Sequence, residues 1–171
     1  GQEGERHRRC AVERRRHGLV GGHASLDDRQ AKGAPIKLPD GSTAQRIPGF
    51  MRWMWDGEFC GSIGFRWQPG TAALPPHVLG HIGYTVVPWQ RGRGFATSAV
   101  RALLPEARAL GLPYVEITTD PDNPASRRVI QKCGFQFSGT AMRDTLTAGR
   151  VAMECYRLDR KTWLSLKSWG A

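Results

Sequence analysis

An α/β or α+β domain with a mixed sheet is the fold class this 171-residue chain predicts. Three features carry that expectation: two β-rich runs joined by Asp56-Gly57, a glycine-rich strand-to-helix junction over residues 86–96, and a second strand-to-helix step at Asn123-Pro124. In chain order they give a strand hairpin, a strand, a helix, a strand, a helix and a final strand pair. No internal repeat is present.

Each element has a local reason. Phe50–Trp55 and Glu58–Trp67 are rich in aromatic residues, and Asp-Gly between them predicts a tight type I′ turn. Gln68–Pro76 reads as loop, and Val78–Val87 as a strand with Ile82, Tyr84 and Val86 on one face. From Gly92 onward the period becomes helical: Ala96, Val100, Leu103, Ala107 and Leu110 share one face, and Gly111 suits a C-terminal cap. Pro105 is a defect in that helix, since it removes one backbone bond and predicts a kink. Pro113–Thr119 is a short strand. Asn123 then reads as a cap before Pro124, opening a helix with Val129, Ile130 and Cys133 on its inner face and Gly134 at its end. Phe135–Thr140 and Val151–Leu158 read as the closing antiparallel pair.

Upstream and downstream the signals weaken. Residues 1–24, including ERHRRCAVERRRHG, predict a basic mobile arm, with Gly18, Gly21 and Gly22 breaking any element. Residues 25–160 form the expected domain; Ala24–Lys32 reads as a short helix, and Gly33–Pro48 as loop with a strand at Ser42–Ile47. Residues 161–171 form an apolar tail, in which Trp163–Trp169 could dock on the domain or on a second subunit of a homodimer.

Composition bounds the function. Hydrophobic residues make up 40%, enough for one core, and no apolar run reaches the ~18–20 residues of a membrane span or follows the basic N-terminus as a signal peptide would. A cytoplasmic protein with no membrane partner is therefore expected. Cys10, Cys60, Cys133 and Cys155 lie far apart and outside any metal-ligand spacing, which argues against a zinc ribbon or disulfide scaffold; reduced thiols and no metal are expected. His7, His17, His23 and His77 also lack partners at metal spacing. A net charge of +10 suits phosphates, nucleic acid or an anionic cofactor.

The junction Val86-Val-Pro-Trp-Gln-Arg-Gly-Arg-Gly-Phe-Ala96 carries the chemistry. A glycine turn at a helix start points free N–H groups outward at the positive end of the helix dipole. Amides of Arg91 through Ala96 therefore predict a pyrophosphate cradle, with Arg91 and Arg93 adding charge. Neither a GxxxxGK[ST] P-loop nor the GxGxxG of a Rossmann site is present.

Arg91-Gly92-Arg93-Gly94-Phe95-Ala96, with Pro88 upstream, matches [Q/R]-x-x-G-x-[G/A]. Asp122-Asn123-Pro124-Ala125-Ser126 followed by Val129 and Cys133-Gly134-Phe135 matches a second motif at the right separation. Together, over residues 42–158, they resemble the GNAT superfamily of N-acetyltransferases, and His81-Ile-Gly-Tyr-Thr-Val-Val-Pro88 is similar to a bacterial subgroup. The resemblance implies a mostly antiparallel mixed sheet with a splayed parallel strand pair and flanking helices. It implies acetyl-CoA as donor, with Val86 and Val87 binding pantetheine opposite Val115–Thr119, Arg91, Gly92, Arg93, Gly94, Phe95, Ala96 and Thr97 around the diphosphate, and Asn123 and Ser126 on the pantetheine arm. Asn123 on the bland reading is only a helix cap.

The implied reaction is direct attack of a primary amine, on a small molecule or a protein N-terminus, on the thioester. It needs a base, an oxyanion donor (a backbone N–H near Val87) and an acid for the thiolate. His81 is the first candidate base, with a strand histidine bonded to a neighbour as the plain alternative; Glu116 is the second, with a solvated strand residue as its alternative. Ile130 stands where many relatives carry the acidic Tyr, which leaves Tyr84, Ser126 or solvent. Asp120 either ends the strand at the acceptor cleft or merely terminates it. Competing readings are a basic nucleic-acid-binding module, which lacks aromatic interleaving in its basic run, and a CoA-binding protein without catalysis. The positive charge argues against polycationic acceptors.

Overall fold

The computed structural model describes residues 18–20, 35–38, 40–145 and 149–165. A short hairpin of β2 (Ile36–Lys37) and β3 (Thr43–Ala44) precedes the main sheet. The long hairpin follows as β4 (Gly49–Trp55) and β5 (Phe59–Arg66), then β6 (Ile82–Val86). A 3-10 turn at Pro88–Gln90 leads to α1 (Phe95–Ala109), β7 (Tyr114–Thr119), α2 (Pro124–Lys132), β8 (Gln136–Thr145), β9 (Gly149–Asp159) and α3 (Arg160–Ser165). The order expected between residues 50 and 158 is therefore present.

Some local expectations are corrected. Gly18–Val20 forms β1, which pairs with β4 from Gly18 opposite Trp55 to Val20 opposite Trp53, so the last part of the expected arm belongs to the sheet. The hairpin turn is not type I′: Gly57 alone has positive φ (+81°), and Trp55 pairs with Phe59 across three residues. The period of α1 buries Ala96, Val100, Leu103 and Ala107, but Leu110 is 42% exposed because it caps the end of the helix. α1 continues through Pro105 as one helix. The expected helix at residues 24–32, most of the basic arm and residues 166–171 of the tail lie outside the described residues.

The strands form two antiparallel sheets, β1-β4-β5-β6 and β7-β9-β8. Register divides the first sheet into two faces, because side chains alternate along each strand. The rows Phe50–Phe65–Ile82 and Arg52–Ile63–Tyr84 face the helices; Ile63, Phe65 and Ile82 are buried there, and Arg52 pairs with Glu106 of α1. The row Met51–Gly64–Gly83 faces the other way. Val115 and Ile117 of β7, Ile130 of α2, Phe135 and Leu158 complete the core.

The sheets meet at one point. Gly80 forms a single bridge to Ile117 with the antiparallel pattern, the His81 N–H donates to Glu116 O at 2.7 Å, and the Glu116 N–H donates to His81 Nδ1 at 3.0 Å. Gly80 has φ +79°, and a Cβ there would lie 2.8 Å from Glu116 O, so only glycine permits this approach. From the join, β6 and β7 both run toward one cavity that opens between them, lined by Ile82–Val86 on one wall and Ile117–Asp120 on the other. This is the splayed pair in parallel sense.

His81 fastens the join. It is 1% exposed, stacked 6.3 Å from the Phe65 ring and edge-on 6.0 Å from Tyr114. Because Nδ1 accepts a backbone N–H, the neutral ring carries its proton on Nε2, which is buried without a hydrogen-bond partner among the described residues. Burial pushes its pKa down to about 4, the Ala72 backbone opposes that fall, and the positive charges of Arg66 and Arg157 add to it. The folded value lies below the unfolded value of 6.5, so the unfolded chain binds the extra proton between them. The stabilisation is complete above pH 6.5 and is lost as pH falls to 4, by about 3 kcal/mol at most. Urea unfolding midpoints should fall across that window, and His81→Asn, which keeps an acceptor but does not titrate, should flatten the decline.

Candidate active site

The cavity measures about 1010 Å³ and runs from the glycine turn along the splayed edge of β6 to Leu79. At the turn, Gly92 and Gly94 have φ +79° and +87°, and a Cβ at either would meet nothing within 4 Å. Gly94 caps α1 without a side-chain bond, and the first helical N–H to close a ring onto it is Ser98, which donates to Gly94 O at 3.0 Å. The amides of Gly92, Arg93, Gly94, Ala96 and Thr97 therefore have no acceptor among the described residues. Five open amides at a helix N-terminus make an anion cradle of the kind a diphosphate fills. Gly92, Gly94, Phe95, Ala96 and Thr97 all line the cavity, Phe95 with its ring mostly buried beneath it.

The two turn arginines separate. Arg91 lines the cavity, and its Nε donates to Val86 O at 3.2 Å. Arg93, expected to add charge to the cradle, turns away: it bonds Gln90 Oε1, pairs with Asp56 at 3.1 Å and lies 5.1 Å over the Phe95 ring. Gln90, 3% exposed, also bonds Glu58. Glu58, Gln90, Arg93 and Asp56 thus tie the turn to the tip of the β4–β5 hairpin. This tie has no motif, since its members lie up to 37 residues apart.

Val86 and Val87 also separate. Arg66 N–H bonds His81 O and Val87 N–H bonds Cys60 O, so the alternation directs the His81 carbonyl, the main-chain groups of 83 and 85 and the Val87 N–H toward β5. Those of Ile82, Tyr84 and Val86 face the open edge. The Val87 amide is therefore occupied and cannot serve an oxyanion, and Val86 lies on the open-edge side.

Asn123 is both the α2 cap, its Oδ1 accepting the Ser126 N–H at 2.9 Å, and a cavity residue. Ser126 Oγ lies 2.9 Å from Tyr84 Oη, which joins α2 to β6 across the cavity. Burial raises the Tyr84 pKa above 10, and the Ser126 bond opposes that in part. Ile130 is fully buried in the core.

The two expected bases are not brought to this cavity. The His81 lone pair is used by Glu116 N–H and the ring is enclosed, so it has no free base position. Glu116 is 8% exposed, with Oε1 2.9 Å from Arg143 and Oε2 3.7 Å from Arg157. Neither lines the cavity. Asp120 does, and its Oδ1 also accepts the Asp122 N–H at 2.7 Å. Sequence reasoning missed Arg66, Arg128 and Lys132. The last two share one face of α2 at i, i+4 spacing, a signal visible once Asn123 is taken as the cap. No group of His, Cys, Asp or Glu suited to a metal occurs among the described residues, and no described helix is long and apolar enough to cross a membrane.

This geometry has relatives. The uncharacterized N-acetyltransferase YoaA of Bacillus subtilis is 34% identical over 83 residues, 48% of this chain and 44% of its own length. The chain thus matches less than half of that relative. Mycobacterium smegmatis RimJ in complex with CoA-disulfide superposes with a TM-score of 0.55 and 23% identity, covering 70% of this chain and 56% of the other. Aminoglycoside acetyltransferase AAC(6')-Ib in complex with coenzyme A gives a TM-score of 0.55 and 20% identity over 70% and 71%. At these identities the two structures speak to fold alone. The model of the acetyltransferase (GNAT) domain matches residues 7–136, and on that match the chain belongs to the GNAT acetyltransferase family.

Proposed function

We propose that this protein transfers the acetyl group of acetyl-CoA to a primary amine by direct attack on the thioester. The observation that carries the reading is the set of open amides of Gly92, Arg93, Gly94, Ala96 and Thr97, continuous with the unpaired edge of β6. Arg91, Arg128 and Lys132 add positive charge around the same cavity, as a phosphate-bearing ligand needs. The open Tyr84 backbone groups and the Val86 N–H suit the pantetheine amides, which would bind as an added strand. RimJ in complex with CoA-disulfide and AAC(6')-Ib in complex with coenzyme A share the fold on which this reading is built.

The chemistry follows from what lines the cavity. The amine must lose its proton before attack, and with His81 and Glu116 enclosed elsewhere, that proton leaves through water. The amine nitrogen bonds the acetyl carbon, an open N–H of the β6 edge stabilises the oxyanion, the nitrogen sheds its second proton to water, and the C–S bond breaks as the carbonyl re-forms. Tyr84, protonated through neutral pH, gives its proton to the thiolate and regains one through Ser126 Oγ.

Two measurements test this. Titration calorimetry should register acetyl-CoA binding, weakened at least tenfold by Gly92→Asp, which places a carboxylate in the cradle, and much less by Gly92→Asn, which carries the same backbone strain without charge. No heat from acetyl-CoA sinks the proposal, and binding without turnover of any amine leaves only a coenzyme-binding protein. Tyr84→Phe should lower kcat by ~10²-fold while KM for acetyl-CoA changes little; an unchanged kcat would assign the final proton to solvent.

A further inference from the structure

The acceptor side of the cavity holds a charge that nothing among the described residues neutralises. Arg66 is the last residue of β5, and its backbone N–H is fixed to His81 O at 2.9 Å. Its side chain reaches over Gly83 on the face away from the helices: a Cβ at Gly83 would lie 2.6 Å from Arg66 Nη2. Gly64 pairs with Gly83 in register, so the sheet presents a bare lane beneath the guanidinium, with Met51 beside it in the same row. Arg66, Gly64, Gly83 and Met51 all line the cavity.

No carboxylate or carbonyl meets the Arg66 guanidinium among the described residues. Burial alone lowers its pKa, with no opposing contribution from an acidic neighbour, yet an arginine keeps its charge. Asp120 is the one carboxylate in the cavity lining and forms no ion pair with Arg66, and Glu116 is already shared by Arg143 and Arg157. A half-buried cation without a counter-ion is costly unless a ligand supplies one. Its place along the strand matters too. Gly83 stands four residues before Val87, roughly 13 Å of extended strand, so Arg66 lies at the end of the cavity remote from the phosphate cradle, where the thioester and the incoming amine would meet.

We infer that Arg66 is the acceptor-recognition residue, binding an oxyanion carried by the amine substrate, so that the acceptor class is an amino acid or another small amine bearing a carboxylate or phosphate. This rests on the acetyl-transfer reading above. The planar fork of arginine matches either oxyanion with two parallel hydrogen bonds. The glycine lane leaves room for the atoms between oxyanion and amine, and Met51, 51% exposed, offers an apolar wall for a side chain.

Thiol release from acetyl-CoA tests it with matched pairs: L-alanine and L-leucine against their carboxamides, and O-phosphoethanolamine against ethanolamine. The full chain should favour one or more of the charged members at least tenfold in kcat/KM, and whether carboxylates or the phosphate win identifies the oxyanion. Arg66→Met should abolish that preference through the KM of the charged acceptor. It should leave the neutral partner within threefold and acetyl-CoA binding by calorimetry unchanged, while Arg66→Lys restores part of the preference. Equal use of charged and neutral partners, an Arg66→Met loss shared by both, or absence of turnover with every charged member overturns the oxyanion site. Those results leave the acetyl-transfer reading standing if any amine is acetylated; absence of acetyl-CoA binding, or of turnover with every amine, removes both.

Discussion

The join between the two sheets is the constraint on which the site depends. A pair of adjacent strands normally pairs along its length, because an open backbone edge away from water is costly. Here Gly80 and His81 hold β6 to β7 at one end only. Gly80 lets the chain approach Glu116 too closely for any Cβ, and the His81 ring takes the Glu116 N–H that a ladder carbonyl would otherwise take. Beyond that point the strands diverge, and the unpaired edge becomes a surface that another extended molecule can complete. The buried neutral histidine is part of the hinge of the wedge rather than of its chemistry.

Much of the fold is legible in the sequence because it is local. Asp56-Gly57 separates the hairpin strands, Asn123 and Pro124 open α2, and Gly92 and Gly94 mark the cradle, each within a few residues of the element it controls. What is not legible is non-local. β1 exists because Gly18–Val20 finds the free edge of β4, a tertiary event that no propensity in three residues announces. The exact turn type at Gly57 depends on strand twist and register, which spacing alone leaves open.

The site divides the same way. Its cradle end is built from the backbone of consecutive residues, so the glycine spacing of the sequence announces its shape. Its reacting end is built from side chains of β5, β6 and α2, whose facing depends on register. His81 and Glu116 have the right chemistry for a base, but alternation and burial commit them to the sheet join and to Arg143 and Arg157. Val86 and Val87 are neighbours of one residue type, and strand alternation sends their amides to opposite edges. Tyr84 and Ser126 meet across 42 residues, where the family's usual tyrosine position holds the buried Ile130.

The tie among Glu58, Gln90, Arg93 and Asp56 gives the amide cradle a remote dependence. An amide nest stays open only while its backbone resists collapsing onto itself, and here that resistance comes from a β-turn on another strand pair. Sequence drift at the hairpin tip would consequently be transmitted to the opening of the cradle without any altered residue lining it. An evolving lineage would reshape that opening from this outlying corner while leaving the cavity walls untouched.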